Sequence, residues 1–183
     1  MSEFYRKNGD QPILSGRDDQ NRRAALINAF ATAEMHGLPA QRYDVDALTV
    51  AFQNAATPRE RGYAEIVAAK MFVAYARDLQ TGVLEPRKID AGIVRELPRR
   101  DPAKLLAAFA TASPTAFMRG LAPQTPEYAR LMKQKIRLQR IVERGGWGPT
   151  VSAKELKPGE TGSAVVVLRN RLTAIGYMTR SAS

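Results

Sequence analysis

The stretch TPEYARLMKQKIRLQRIVERGGWGP, residues 125–149, carries the signals of one strong helix and its end. Thr125 can cap the first free N–H groups, Pro126 is tolerated in the first turn, and Glu127 complements the positive helix end. Tyr128, Leu131, Met132, Ile136, Leu138, Ile141 and Val142 recur at three- and four-residue steps, so two adjoining faces are apolar and packing on both sides is expected. Gly145-Gly146 ends the pattern. A capping residue followed by Pro recurs at Thr57-Pro58, Asp101-Pro102 and Ser113-Pro114, and no alternating strand pattern occurs anywhere. The fold class is therefore all-α.

Upstream, Phe4 and Tyr5 begin a short helical segment that Gly9-Asp10 and Pro12 interrupt. A helix is expected from Asp18 to Met35, with Leu26, Ile27, Phe30 and Ala33 inward and Arg22 and Arg23 facing water. Tyr43 anchors a loop from Leu38 to Asp44, and Val45 to Asn54 forms a short helix carrying Leu48, Ala51 and Phe52. Thr57 and Glu60 have capping-box spacing and open a helix that should reach Gln80 and stop at Gly82. Its middle, Ile66 to Ala76, is apolar nearly all round, which marks a central element. Val83 to Asp90 is expected to be extended by Pro86, and Ala91 to Leu97 to form a further short helical segment. Leu105, Leu106 and Phe109, then Phe117, Met118 and Leu121, supply the inward faces of two more helices.

Composition bounds what such a chain can be. Its 183 residues suffice for one good core, or one core and a fragment of a second, and 44% hydrophobic with 25% charged residues is an ordinary globular balance. Without cysteine there is no disulfide, zinc-thiolate site or thiol nucleophile. A formal charge of +10 and a pI near 10.2 favour acidic polymers as partners: nucleic acid, anionic lipid or the anionic bacterial wall. No apolar run is long enough to span a membrane, and the first residues lack the pattern of a secretory signal.

After Trp147-Gly148-Pro149 the chain reads Leu156-x-x-Gly159-x-x-Gly162-x-x-Val165-x-x-Leu168-x-x-x-Leu172-x-x-x-Gly176-Tyr177. Two glycines shape a turn, and Val165, Leu168 and Leu172, extended by Ile175, form one helical stripe. That spacing resembles the first half of a peptidoglycan-binding-like module. Leu121-Ala122-Pro123-x-x-Pro126-x-Tyr128-x-x-Leu131 followed by Gly145-Gly146-Trp147 is similar to the joint between scaffold and wall-binding-like domains of the large bacterial L,D-transpeptidases. Tyr75-Ala76-Arg77-Asp78-Leu79-x-x-Gly82-x-x-x-Pro86, and Phe4-Tyr5 with His36-Gly37-Leu38-x-x-x-x-Tyr43, fall in that family's order. Ile13 departs from it, standing near where the family usually has Trp.

The resemblance implies a helical scaffold domain over residues 1–146 and, over 147–183, the beginning of a three-helix module whose partner helices lie beyond Ser183. It also implies a periplasmic parent protein that crosslinks or trims peptidoglycan, with a signal or anchor outside these residues. The family acts through a catalytic Cys assisted by His in a separate domain; neither that Cys nor its motif is present, so no catalytic residue carries over. The implied role is support: packing against the catalytic domain of the same parent chain, and contact with peptidoglycan. No cofactor is implied. The native oligomeric state is left open.

Read residue by residue, the chemistry is sparse. His36 sits at a helix end with no second His or Cys near it, so it reads as structural or solvated rather than as a metal ligand. Asp18-Asp19 and Asp44-x-Asp46 lie at helix starts, where negative charge has a sufficient structural role. Gly159 to Ser163 lacks the Lys of a phosphate-binding loop. Arg130, Lys133, Lys135, Arg137, Arg140 and Arg144 make the long helix basic, and Arg95, Arg99 and Arg100 form a second cluster. Such a basic helix is ordinarily a solvated face; in the functional reading its arginines hold glycan or stem-peptide carboxylates through forked hydrogen bonds. Trp147 is either a sugar-stacking residue or a plug at a domain joint. The rival readings are a stand-alone nucleic-acid-binding protein, which the charge favours but no base-reading motif supports, and an independent enzyme, for which no catalytic constellation argues.

Overall fold

The computed structural model describes residues 1–94 and 99–179, and within them every regular element is helical. The α-helices are α1 (Ser2–Lys7), α2 (Gln20–Ala31), α3 (Val45–Gln53), α4 (Pro58–Thr81), α5 (Pro86–Ile89), α6 (Pro102–Thr111), α7 (Pro114–Gly120), α8 (Pro126–Glu143) and α9 (Ser163–Ala174). Two compact units share the chain, Met1–Thr125 and Pro126–Ser183. The division falls at the start of α8, whereas the sequence reading set its boundary at Gly146.

In the first unit α4 is central. Ala64, Ala68, Ala69 and Ala76 on it are buried, and such small residues let α3 and α6 approach its backbone closely. Phe72 and Tyr75 project from the same helix into two aromatic clusters. Phe72 stacks on Phe109 with ring centroids 4.7 Å apart, and Phe117 lies 5.3 Å from Phe109. Tyr75, Phe30 and Tyr43 form the other cluster, at 5.3 to 5.4 Å. These separations suit offset and edge-to-face aromatic packing. Leu26, Leu48 and Leu106 fill the space around them without exposure.

The helix starts follow the capping chemistry. Glu60 N–H donates to Thr57 Oγ1 (3.2 Å), and Thr57 N–H donates to Glu60 Oε2 (2.8 Å), which is the reciprocal capping box. Asp44 and Asp101 accept the Ala47 and Lys104 N–H groups, each at 2.8 Å. Ser113 precedes Pro114 but its side chain makes no cap hydrogen bond. At the far end of α4, Gly82 takes φ of 79°, a conformation a side chain would strain.

Several local expectations need correction. The expected helix from Asp18 to Met35 is divided into a 3-10 turn (Arg17–Asp19), α2 and a second 3-10 turn (Ala33–His36). Thr32 Oγ1 donates back to Asn28 O (2.7 Å) at the second break, the hydroxyl competition that bends or ends helices. Pro86 does not hold its segment extended; it occupies the first turn of the one-turn helix α5, where its fixed φ suits a helix start. Residues 91–94 are turn and irregular chain, while Arg95 and Leu97 lie outside the described residues.

The second unit is built differently. Ile141 is the one buried residue of α8, and α9 has none among its described residues. Leu131, Leu138 and Val142 are exposed, so α8 is not packed on both sides as its pattern suggested. The helices are tied through polar contacts instead: Arg137 Nη2 donates to Ile175 O (2.8 Å) and Arg171 Nη1 to Pro149 O (3.2 Å).

Two outcomes follow from this contrast. Replacing the fully buried Phe72 by Ala should destabilise the first unit by about 3–5 kcal/mol, read from urea unfolding; unchanged unfolding would displace α4 from the core. Amides of α9 should exchange with deuterium faster than those of residues 66–75, because a helix without a buried face is marginal in water; equal protection at low concentration would contradict that.

Candidate functional site

Arg130, Lys133, Arg137 and Arg140 are spaced alternately by three and four residues along α8, and Arg144 continues the spacing in the turn just after its end. That spacing places them on a single ridge, about 21 Å from first to last at the usual helical rise. Arg130 pairs with Glu127 Oε1 at 2.7 Å, but both groups are well exposed and the pair is easily exchanged for another anion. Arg137 is oriented by its bond to Ile175 O, and Arg144 Nε donates to Arg140 O (3.0 Å). Among the described residues no carboxylate is paired with Lys133, Arg137, Arg140 or Arg144. Lys135 lies on a different face and donates to Gln139 Oε1 (3.3 Å).

Trp147 follows the ridge on the loop after α8 and is half-buried. Gly145 and Gly146 precede it with φ of 101° and 74°, so the chain turns sharply between the last arginine and the indole. The arrangement therefore offers a linear row of four guanidinium groups and one ammonium with an aromatic side chain past its end. Such a row suits an extended anionic polymer better than a single compact anion. Of the second basic cluster, Arg99 and Arg100 are exposed, Arg100 N–H donating to Gln80 Oε1 (3.2 Å), and Arg95 lies outside the described residues.

Two acidic residues, Glu65, which the sequence reading did not mention, and Asp78, which it quoted within a motif without a role, are the strongest polar centres of the first unit. Glu65 is buried on α4 and accepts the consecutive N–H groups of Ile13 (3.0 Å), Leu14 (2.9 Å) and Ser15 (2.7 Å), together with Tyr5 Oη–H (2.7 Å). Burial, and then the bond to Glu65, push the Tyr5 phenol well above its ordinary pKa. Asp78, also buried, accepts from Tyr43 Oη–H (2.8 Å), from Arg42 Nε and from Arg77 Nη2 (3.2 Å). Tyr43 is shifted upward in the same way, by burial first and by Asp78 second.

The arginines of α2 also behave unlike the expectation that they face water. Arg22 is ion-paired with the buried Asp19 and donates to Ile13 O (2.8 Å) and Ala110 O (3.1 Å). Arg23 Nη1 donates to Leu14 O (2.8 Å) and Gly16 O (2.6 Å), and its guanidinium lies 5.7 Å from the Phe52 ring centroid. The irregular segment 13–16 exposes carbonyls that only donors can satisfy, and these arginines supply them. His36 is half-buried, and burial lowers its pKa. Among the described residues no group of three or more His, Cys, Asp or Glu is placed to hold a metal ion, and no helix is long and apolar enough to cross a membrane.

Glu65→Gln tests the first latch. An amide presents one accepting oxygen where the carboxylate presented two, so at least one buried donor is left unpaired. The expected loss is more than about 2 kcal/mol, against about 1 kcal/mol for Tyr5→Phe, both from chemical denaturation. Equal losses would mean that the backbone bonds contribute little.

Among known protein families, the one described as "Scaffold domain" matches residues 1–134. No curated protein and no solved structure matches the chain.

Proposed function

The chain belongs to the scaffold-domain family, and from that membership we propose that it is the non-catalytic scaffold and wall-binding-like portion of a periplasmic L,D-transpeptidase, acting in peptidoglycan crosslinking and remodelling. The observation that carries the reading is the reach of the family match to residue 134, inside α8. The cationic ridge thus begins within the matched region and continues toward the glycine-rich segment that resembles a peptidoglycan-binding-like module. In this reading the first unit is a rigid support for a catalytic domain of the same parent protein. The ridge of α8, with Arg130, Arg137, Arg140 and Arg144, receives carboxylates of the anionic wall, and Trp147 lies where a sugar ring can stack. The thiol that attacks the stem peptide belongs elsewhere in the parent protein, since this chain has no cysteine.

Purified chain mixed with peptidoglycan sacculi provides the test. It should co-sediment with them in a salt-sensitive manner, show no transpeptidase or carboxypeptidase turnover on a tetrapeptide donor, and lose most sedimentation when Arg130, Arg137, Arg140 and Arg144 are all changed to Gln. Turnover by homogeneous protein would refute the non-catalytic assignment. Sedimentation indifferent to the four substitutions, or submicromolar affinity for DNA exceeding that for sacculi, would remove the wall from the reading and favour a nucleic-acid-binding role.

A further inference from the structure

The first unit contains a second cationic feature, away from α8 in sequence. An open groove of about 780 Å3 lies between the loop ahead of α2, the end of α3 and the first turns of α4. That volume falls within the range of about 300–1,000 Å3 that holds small organic ligands. Its apolar surface comes from Phe52, Pro58 and Ile66, and its charge from Arg17, Arg23 and Arg61.

Each arginine is differently prepared. Arg23 is fixed by the carbonyls of Leu14 and Gly16 through Nη1 and by its position over Phe52, while Nε and Nη2 have no acceptor among the described residues. Arg61 Nη1 is held by Ala56 O (2.6 Å), which leaves the rest of its guanidinium available. Arg17 is exposed and makes no ion pair among the described residues. A guanidinium already immobilised by backbone carbonyls loses little freedom when it binds an anion, which favours affinity. The acids that line the groove do not cancel this charge. Glu65 keeps its charge, but both its oxygens are occupied by the 13–15 backbone and Tyr5 and are not offered to the arginines, and with Asp10 the lining sets two acids against three arginines, a net positive charge.

We propose that this groove is a binding site for a carboxylate carried on an apolar group, the chemistry shared by an acylated amino acid and by the apolar C-terminal end of a peptide. The carboxylate meets Arg23 and Arg61, and the apolar group lies against Phe52 and Ile66. Gly62 makes room for it: a Cβ added there meets nothing within 4 Å, and its backbone is ordinary helix.

Amide chemical-shift titration of the full chain with N-acetylphenylalanine tests the site. Saturable shifts should centre on Phe52, Gly62 and Ser15. N-acetylphenylalanine amide should bind about tenfold more weakly or worse, the ratio set by one charge-assisted hydrogen bond. Arg17→Gln combined with Arg61→Gln should weaken the acid by a similar factor. Gly62→Leu fills the space without altering charge or straining the helix, and should abolish binding while thermal unfolding stays intact. A parallel titration with N-acetyl-Gly-Gly-Phe distinguishes the sources: tighter binding than the single residue assigns a peptide end, and equal binding an isolated small acid. Equal affinity for acid and amide, undiminished binding by the folded Gly62→Leu variant, or the absence of saturable shifts in the groove would overturn the proposal.

Discussion

The first unit depends on the carboxylate of Glu65. Residues 13 and 14 are buried yet not helical, and in a fold without a sheet their N–H groups have no ladder to join. Three consecutive donors buried without acceptors would cost several kcal/mol together, at about 1–3 kcal/mol each. One ionised side chain from α4 receives all three and Tyr5 as well. The irregular chain between α1 and α2 can then lie inside the fold. Its outward carbonyls at Ile13, Leu14 and Gly16 are in turn met by Arg22 and Arg23, which fixes the orientation of α2 against that same segment.

Asp78 repeats the solution near the other end of α4. It gathers Tyr43 and Arg42 from the loop ahead of α3, while Arg77, its neighbour on α4, adds a further donor. Tyr43 also stacks on Phe30, so one residue joins the polar centre to the aromatic cluster. With both carboxylates on one helix, α4 organises its surroundings in two ways at once. Its alanines admit neighbouring backbones closely, and its acids receive donors from the irregular segments those neighbours leave behind. Burying an acid without such partners would be heavily unfavourable, which makes each latch specific as well as stabilising.

The sequence made the helices legible where capping residues, proline and periodic apolar residues agreed, as at Thr57-Pro58 and through Ile66 to Ala76. It was less informative about breaks. Thr32 ends α2 through a hydroxyl bond to Asn28 O that no periodicity announces, and Pro86 starts a turn of helix that an extended reading allows equally well. The buried acids were visible in principle. Glu65 stands between Ala64 and Ile66 on an otherwise apolar run, and Asp78 stands inside Tyr75-Ala76-Arg77-Asp78-Leu79, but identifying their partners requires knowing which loops return to α4. Arg130, Arg137, Arg140 and Arg144 could be placed on one ridge by spacing alone. The arginines of the groove could not, since Arg17, Arg23 and Arg61 are assembled by tertiary folding.

The two units use the same residue type for different physical ends. In the first, Arg22 and Arg23 spend hydrogen bonds on backbone carbonyls, and Arg42 is committed to a buried acid, so these cations contribute to structure before any ligand arrives. In the second, where most of the net charge of +10 resides, the ridge of α8 is largely without counter-charge and Ile141 alone is buried on that helix. Screening by salt therefore acts unequally: partly buried contacts of the first unit feel it little, whereas repulsion along the ridge and its attraction for a polyanion both weaken. A cationic helix with a weak packing surface has little reason to hold its charges in one row for its own stability. An extended anion laid along α8 would relieve that repulsion along the ridge, and any such binding would by linkage stabilise the helix that carries it.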